Sequence, residues 1–322
     1  MSLFIAVIAT LVDGVRYVTS ELAENGTNPV WWSNRINDRV NGRFQRALHG
    51  DRGIDLMAQD WDTLIVVDAA RADLFEETVD VSRFDEYRRV KSRGSATSEW
   101  SRTNFTAEYG DTVYVSGNPV PSRHITGTFH EYVEVWREGF DDDIGTIRAD
   151  AVADAARAVY ERHPDKRLIV HFMQPHYPFV RDERFQFSYW RNTDGIDYGG
   201  DDRARDVWDA IGLGLADRDE VWAAYRDNLE YVMEYVWDLV SALDGRTVVH
   251  SDHGNVVGAR SWPIPVRTYG HPAGLRLPDL LAVPWAVIEG DRRPIRDDGA
   301  GQHGRETEDM TEKLRALGYV AD

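Results

Sequence analysis

Apolar residues crowd the opening stretch from Met1 to Val12 and recur at Val15, Tyr17 and Val18, after which the chain turns polar up to about residue 60. The opening run is about half the length a bilayer span needs and lacks the basic start and small-residue cleavage site of a secretory signal. It predicts a helix packed on the body of the protein, with a peripheral membrane contact as the alternative. Residues 1–60 therefore read as an N-terminal helical extension, with Trp31 and Trp32 as its docking points.

Beyond residue 60 the pattern changes. Trp61–Asp68 holds four consecutive apolar residues, Leu64 to Val67, mostly β-branched and ending in Asp, the pattern of a strand buried on both faces. Tyr87–Val90 and Thr112–Val115 are short strand candidates, Ala149–Arg162 an Ala-rich amphipathic helix and Arg167–Phe172 a second buried strand. Over Asp219–Leu243, Val221, Tyr225, Leu229, Val232, Val236, Leu239 and Leu243 recur mainly every three or four residues, which predicts a long helix. Arg246–His250 and Leu281–Ile288 complete the strands, and Glu306–Leu317 is a closing helix. Strands alternating with helices predict a doubly wound, mainly parallel sheet flanked by helices over residues 61–322. In such sheets functional groups gather at the carboxyl ends of the strands. Three polar clusters fall there: Asp68, His171 to His176, and Asp252-His253.

Composition narrows the chemistry. The 322 residues carry 55 acidic against 37 basic side chains, a formal charge of −18, and lysine occurs only at 91, 166 and 313. An acidic, arginine-over-lysine composition predicts a halophilic, cytoplasmic protein whose self-repulsion is screened by salt, an ordinary acidic enzyme being the alternative. No basic run is present to displace counterions, which excludes nonspecific nucleic-acid binding. An acidic chain that handles an anionic ester needs a local positive centre, and a bound metal ion provides one. With no cysteine, disulfides and thiolate metal sites are excluded. The glycosylation patterns at Asn25 and Asn104 are read as chance matches.

Asp68 suits a hard-cation ligand, its other reading being a helix N-cap. Asp252 and His253 add one oxygen and one imidazole donor, with Gly254 permitting the turn that brings both to one centre. The segment from Gly94 to Phe105 is dense in hydroxyls and leads into a predicted helix, so Thr97, Ser98 and Ser101 are candidate nucleophiles; ordinary N-capping, completed by Glu99 or Glu108, is the alternative.

Along most of Trp61–Asp322 the chain resembles the alkaline phosphatase/sulfatase superfamily. The matching pieces are Asp68-Ala69-Ala70-Arg71-Ala72-Asp73, His171-Phe172-Met173-Gln174-Pro175-His176-Tyr177-Pro178, Ser251-Asp252-His253-Gly254, Gly270-His271 with Val283-Pro284, and Leu314-Arg315-Ala316-Leu317-Gly318-Tyr319. The resemblance implies an alkaline phosphatase-like core in which Asp68, Asp252 and His253 ligate a metal that the nucleophile also touches. It further implies that His176 and His271 contact the transferred group or a second metal, or protonate the leaving group, and that Arg71 fixes a carboxylate or the substrate. Thr97-Ser98-Glu99 resembles the run in lipoteichoic acid synthase-like transferases and favours Thr97. Ser98-Glu99-Trp100-Ser101-Arg102 partly resembles the sulfatase pattern and favours Ser98, although Trp100 stands where Pro or Ala is expected; a third register favours Ser101. Gln174 stands where a two-metal site wants an Asp, which predicts one divalent ion (Zn, Mn, Ca or Mg). The implied activity is a metal-dependent hydrolase or phosphotransferase acting on a phosphate-type ester, small or linked to glycan or lipid. A sulfatase and a non-catalytic binding module are the alternatives.

Overall fold

The computed structural model describes residues 25–185 and 206–301, with isolated positions 21, 23 and 204. The opening apolar run, the closing helix at 306–317 and the tail motif at 314–319 lie outside the described residues.

The first element bounded within the described residues is α1 (Pro29–Ile36), which runs through a π-type turn (Asn37–Asn41) into α2 (Gly42–His49). Strand β1 (Thr63–Asp68), α3 (Ala72–Thr78), β2 (Glu86–Lys91) and α4 (Thr97–Asn104) follow. Next come β3 (Glu108–Ser116), α5 (Val120–His124), β4 (Thr128–Glu134) and the short pair β5 (Phe140–Asp141) and β6 (Thr146–Ile147). Helix α6 (Ala149–Arg162), β7 (Arg167–Pro175), α7 (Val207–Gly212) and α8 (Arg218–Ala242) lead to β8 (Thr247–His250). The described chain closes with β9 (Val256–Arg260), β10 (Arg267–Gly270), α9 (Pro278–Leu281) and β11 (Ala282–Ile288).

Seven strands form the central sheet in the order β2-β11-β8-β1-β7-β3-β4. The pairs β8–β1, β1–β7, β7–β3 and β3–β4 are parallel, and β11 alone runs antiparallel to both its neighbours. The expected mainly parallel α/β sheet is thus present. Every residue of β1 is buried, as a strand covered on both faces requires. Ile65 and Val67 join a core with α6 and α8 residues such as Val152 and Val232, while Leu64 and Val66 join Trp61, Trp100 and Phe105 on the other face. The edge strand β2 exposes its charged residues and half-buries Tyr87 and Val90, and such charges protect an edge from unwanted pairing.

The helical extension docks differently from its expected mode. Trp31 and Trp32 stay near the surface, meeting each other edge-on at 4.8 Å. The buried stripe is polar instead, made of Ser33, Asn37, Asn41 and Gln45 at intervals of four. Asn37 Nδ2 donates to Thr268 Oγ1 at 3.0 Å, Asn41 Nδ2 to Ser261 Oγ at 2.9 Å, and Gln45 Oε1 accepts from Arg276 N at 2.6 Å. The extension is therefore clamped to the segment between β9 and α9.

Candidate functional site

Strands β8, β1 and β7 are neighbours at the middle of the sheet, so their carboxyl ends lie side by side. Pairing between β1 and β7 slips after Val67, so that Asp68 falls opposite Pro175. Such an irregularity re-aims the side chain at a strand end. Ala69 then takes a positive φ of 60°, a conformation that costs energy outside glycine and persists only where neighbours hold it. Asp252 does the holding: its Oδ1 accepts from Ala69 N at 2.9 Å, while Ser251 Oγ accepts from Ala70 N at 2.8 Å. Gly254 is needed for close approach, because a Cβ there would sit 2.2 Å from Asp279 O.

Asp68, Asp252 and His253 are fully buried, and one ligand atom from each lies within 4.8 Å of the others. Thr97, the first residue of α4, donates from Oγ1 to Asp252 Oδ2 at 2.7 Å and lies 3.2 Å from His253 Nε2. His253 Nδ1 faces Gly254 O at 2.9 Å. A carbonyl only accepts, so Nδ1 carries the hydrogen and Nε2 presents a bare lone pair to the cluster. Asp68 Oδ2 accepts from Asn118 Nδ2, leaving Oδ1 buried without a partner. Burial, and then the neighbouring Asp252 charge, push the Asp68 carboxyl well above its ordinary value. Two carboxylates, one orphaned oxygen and an imidazole with its far nitrogen anchored on backbone form a donor set that fits a divalent cation.

The first turn of α4 makes no side-chain cap, although the segment is rich in hydroxyls. Glu99 N and Trp100 N donate to Ala96 O at 3.0 Å, and the N–H groups of Thr97 and Ser98 are the ones placed to face an anion, which a helix N-terminus favours. Glu99 braces this turn instead: it accepts from Ser95 N at 3.1 Å and pairs with Arg276 at 3.1 Å and Arg46 at 2.5 Å. Glu108 is exposed at the start of β3. Ser98 is half-buried and makes no hydrogen bond to the cluster among the described residues, and Ser101 Oγ is buried without a partner.

His176 Nε2 lies 3.1 Å from His271 Nε2, and the His271 ring centre is 4.6 Å from that of His253. His176 Nδ1 donates to Tyr177 O at 2.5 Å, so its Nε2 accepts and His271 Nε2 donates. Burial, reinforced by imidazole neighbours, holds both rings well below their ordinary pKa. His271 follows Gly270, whose φ of 70° favours glycine. Arg71 is held by Asp73 at 2.6 Å, Asp279 at 3.3 Å and Asn255 O at 2.9 Å, and among the described residues it makes no hydrogen bond or ion pair with Asp68, Asp252 or His253. Gln174 turns away, donating to Ile147 O at 2.7 Å.

Several supporting residues escaped the sequence reading. Asn118 and Tyr114 come from β3 and its end, and Tyr114 OH bonds His171 Nδ1 at 2.7 Å. The phenol stays protonated, since burial raises its pKa, so His171 turns its Nε2 toward Asp68 Oδ2, 3.4 Å away. Trp100, out of place in a sulfatase pattern, packs on His171 at 5.5 Å. Ser92 Oγ donates to Asp252 O. The usable signal was the polar Ser116-Gly117-Asn118-Pro119 after a recognised strand, a fourth strand end that obeys the same placement rule.

No protein-family model matches the chain. No curated protein matches it either. Among solved structures it is similar to the integral membrane protein lipooligosaccharide phosphoethanolamine transferase A from Neisseria meningitidis, at 13% identity and TM-score 0.48 over 72% of this chain. The chain spans 48% of that protein's length. It is also similar to the C-terminal periplasmic domain of EptC from Escherichia coli in complex with zinc, at 13% identity and TM-score 0.36, covering 73% of this chain and 75% of that one. A protein in the alkaline phosphatase superfamily from Vibrio parahaemolyticus is similar at 14% identity and TM-score 0.36, covering 83% of this chain and 69% of that one. Among the described residues no helix is long and apolar enough to cross a membrane.

Proposed function

We propose that this protein is a divalent-metal-dependent phosphotransferase or hydrolase that acts on a phosphate-type ester through Thr97. The catalytic unit is assigned to residues 61–322, with 1–60 as an extension. The observation that carries the reading is the Thr97 hydroxyl, seated at an uncapped helix N-terminus and hydrogen-bonded to Asp252 beside the orphaned Asp68 oxygen. Asp68, Asp252 and His253 would hold one cation together with Thr97; Zn, Mn, Ca and Mg all remain compatible with the donors. Such an ion supplies positive charge that lowers the hydroxyl pKa and offsets the charge on a phosphoryl group.

Thr97 Oγ1 bonds to phosphorus as the P–O bond to the leaving group, in line behind it, breaks; the hydroxyl hydrogen passes to Asp252 Oδ2 and the leaving alkoxide takes a proton from water. The N–H groups of Thr97 and Ser98 at the start of α4 receive the equatorial oxygens. His176 and His271 are read as the contacts to the ester: on substrate binding the His271 Nε2–H turns from His176 Nε2 to an ester oxygen, and the neutral rings are not stores of a proton. Arg71 is a positioning residue that buttresses Asp279 and the backbone at Asn255. Water or an acceptor alcohol then resolves the phosphothreonine, and a lipid- or glycan-linked ester is the substrate class in view. The acidic composition is read as adaptation to high salt.

The test is metal analysis of the purified protein with turnover of a chromogenic phosphate diester, phosphate monoester and aryl sulfate, before and after chelation. Stoichiometric metal, phosphate-ester turnover lost on chelation and loss of both in Asp252→Asn are expected. Turnover of the sulfate alone would replace the proposal with a sulfatase, and metal-free protein without turnover would indicate a binding module. Product that forms only with added alcohol identifies the transferase.

A further inference from the structure

Helices α1 and α2 carry a second stripe, turned away from the polar seam. Trp32, Val40, Phe44 and Leu48 recur in a four-residue register and are 42%, 41%, 48% and 60% exposed. Ile264, 39% exposed in the β9–β10 turn, extends the patch. It is locked to the helix by paired hydrogen bonds, Ile264 N to Asn41 Oδ1 at 3.0 Å and Asn41 Nδ2 to Ile264 O at 2.9 Å. Trp262 meets the Phe44 ring edge-on at 5.8 Å and joins helix to turn. Five of the six exposed large hydrophobic residues among the described residues therefore fall on this one face, Leu215 being the sixth. Scattered exposed apolar residues are ordinary, but a contiguous set marks an interaction surface.

Charge indicates what covers it. The chain as a whole is strongly acidic, yet residues 29–53 hold five arginines against two aspartates. Arg39 and Arg43 on the helix and Arg260 and Arg267 on the hairpin are exposed, and none has an ion-paired carboxylate among the described residues; the two hairpin arginines reach only backbone carbonyls. An apolar stripe with Trp at its margin and arginines beside it matches the chemistry of a helix lying in a bilayer interface, where the cations meet lipid phosphates.

We propose that α1, α2 and the β9–β10 turn form a docking surface for membranes containing anionic lipid. The surface is rigidly tied to the candidate site, because Arg46 of α2 pairs with Glu99 of α4 and Gln45 holds Arg276, five residues beyond His271. Docking brings the hydroxyl at 97 close to the bilayer, where a lipid-linked ester lies. That consequence rests on the functional reading above, whereas the docking does not.

The experiment is flotation of the full chain with vesicles of phosphatidylcholine, alone or mixed with phosphatidylglycerol. Wild type is compared with Phe44→Ser/Leu48→Ser and with Arg39→Glu/Arg43→Glu. Wild type floats with the anionic vesicles, and each variant loses about tenfold or more in partitioning while keeping the wild-type unfolding temperature and turnover of a soluble chromogenic diester. A wild type that floats with neither vesicle, or a stripe variant that floats as well as wild type, overturns the proposal. So does a concentration-dependent wild-type dimer, without vesicles, that the stripe variant dissociates, since the patch would then belong to a second copy. Wild type that floats yet turns over no phosphate ester supports the docking and overturns only the reading of the site.

Discussion

Thr97 differs from the two serines near it in the company its hydroxyl keeps. Its Oγ1 has a carboxylate at 2.7 Å and an imidazole at 3.2 Å, whereas Ser101 Oγ is buried with neither. If Thr97 is the nucleophile, Thr97→Ala lowers kcat by about a thousandfold or more, Thr97→Ser keeps measurable turnover, and Ser98→Ala stays within about threefold of wild type. Full activity in Thr97→Ala with loss in Ser98→Ala or Ser101→Ala moves the assignment along the chain and leaves the fold untouched. The imidazoles carry a second residue-scale prediction. Burial lowers His171, His250 and His253 from an ordinary 6.5 to about 4, and His176 and His271 also fall well below it. The unfolded chain therefore takes up protons near pH 6.5 that the folded protein refuses until about pH 4, so stability drains away as pH falls through that window. Asp68 opposes this, because its raised carboxyl pKa makes the folded protein bind its proton more tightly and costs stability as pH rises above 3.8. Five imidazoles outweigh one carboxyl. The unfolding temperature of metal-free protein is expected to drop by about 10 °C or more between pH 7.5 and pH 5, and a flat profile over that range would refute the burial of neutral rings.

At the scale of elements, strands were easier to read than their attachments. The four apolar residues before Asp68 and the RTVVH run before Ser251 announce buried parallel strands, and each leads into the candidate site, β1 ending at Asp68 and β8 two residues before Asp252. Asp68, Asp252 and His253 were legible for that reason: position on a parallel sheet, more than any motif, marks them. The antiparallel course of β11 was not legible, since a buried apolar run looks alike in either direction. The mode of docking of α1 and α2 was misread because apolar patterning points to Trp31 and Trp32, whereas the face that packs is amide and hydroxyl. Apolar burial drives docking without direction, but this seam depends on paired donors and acceptors. Asn41 makes the point testable, as its amide spans Asn37, Ser261 and Ile264 at 2.9 to 3.0 Å. Asn41→Ala leaves several of these groups buried and unsatisfied, so denaturant unfolding is expected to show a loss of about 1–3 kcal/mol. A change below about 0.5 kcal/mol would show that water replaces the amide and that the seam adds little.

For the whole molecule the governing quantity is the excess of 55 acidic over 37 basic residues. Salt acts on it in two directions. Screening weakens exposed ion pairs such as Arg157–Asp154 at 2.9 Å and Arg184–Asp182 at 2.8 Å, but pairs of this kind contribute only ~0–1 kcal/mol each. Screening also relieves the repulsion among the surplus carboxylates, a collective term that grows with the square of the net charge and is felt wherever acidic groups lie within a Debye length of about 10 Å at 0.1 M salt. For a net charge of −18 the second effect dominates. Raising KCl from about 0.1 M to about 1 M, where the Debye length contracts to about 3 Å, is expected to raise the unfolding temperature by roughly 5 °C or more. Sucrose separates this from simple solute exclusion, because it stabilises compact states without screening charge. If sucrose of matched osmolality gives the same gain, or if the KCl curve is flat or falling, charge repulsion does not limit stability and the halophilic reading of the composition fails, while the sheet and the site at its centre stand unaffected.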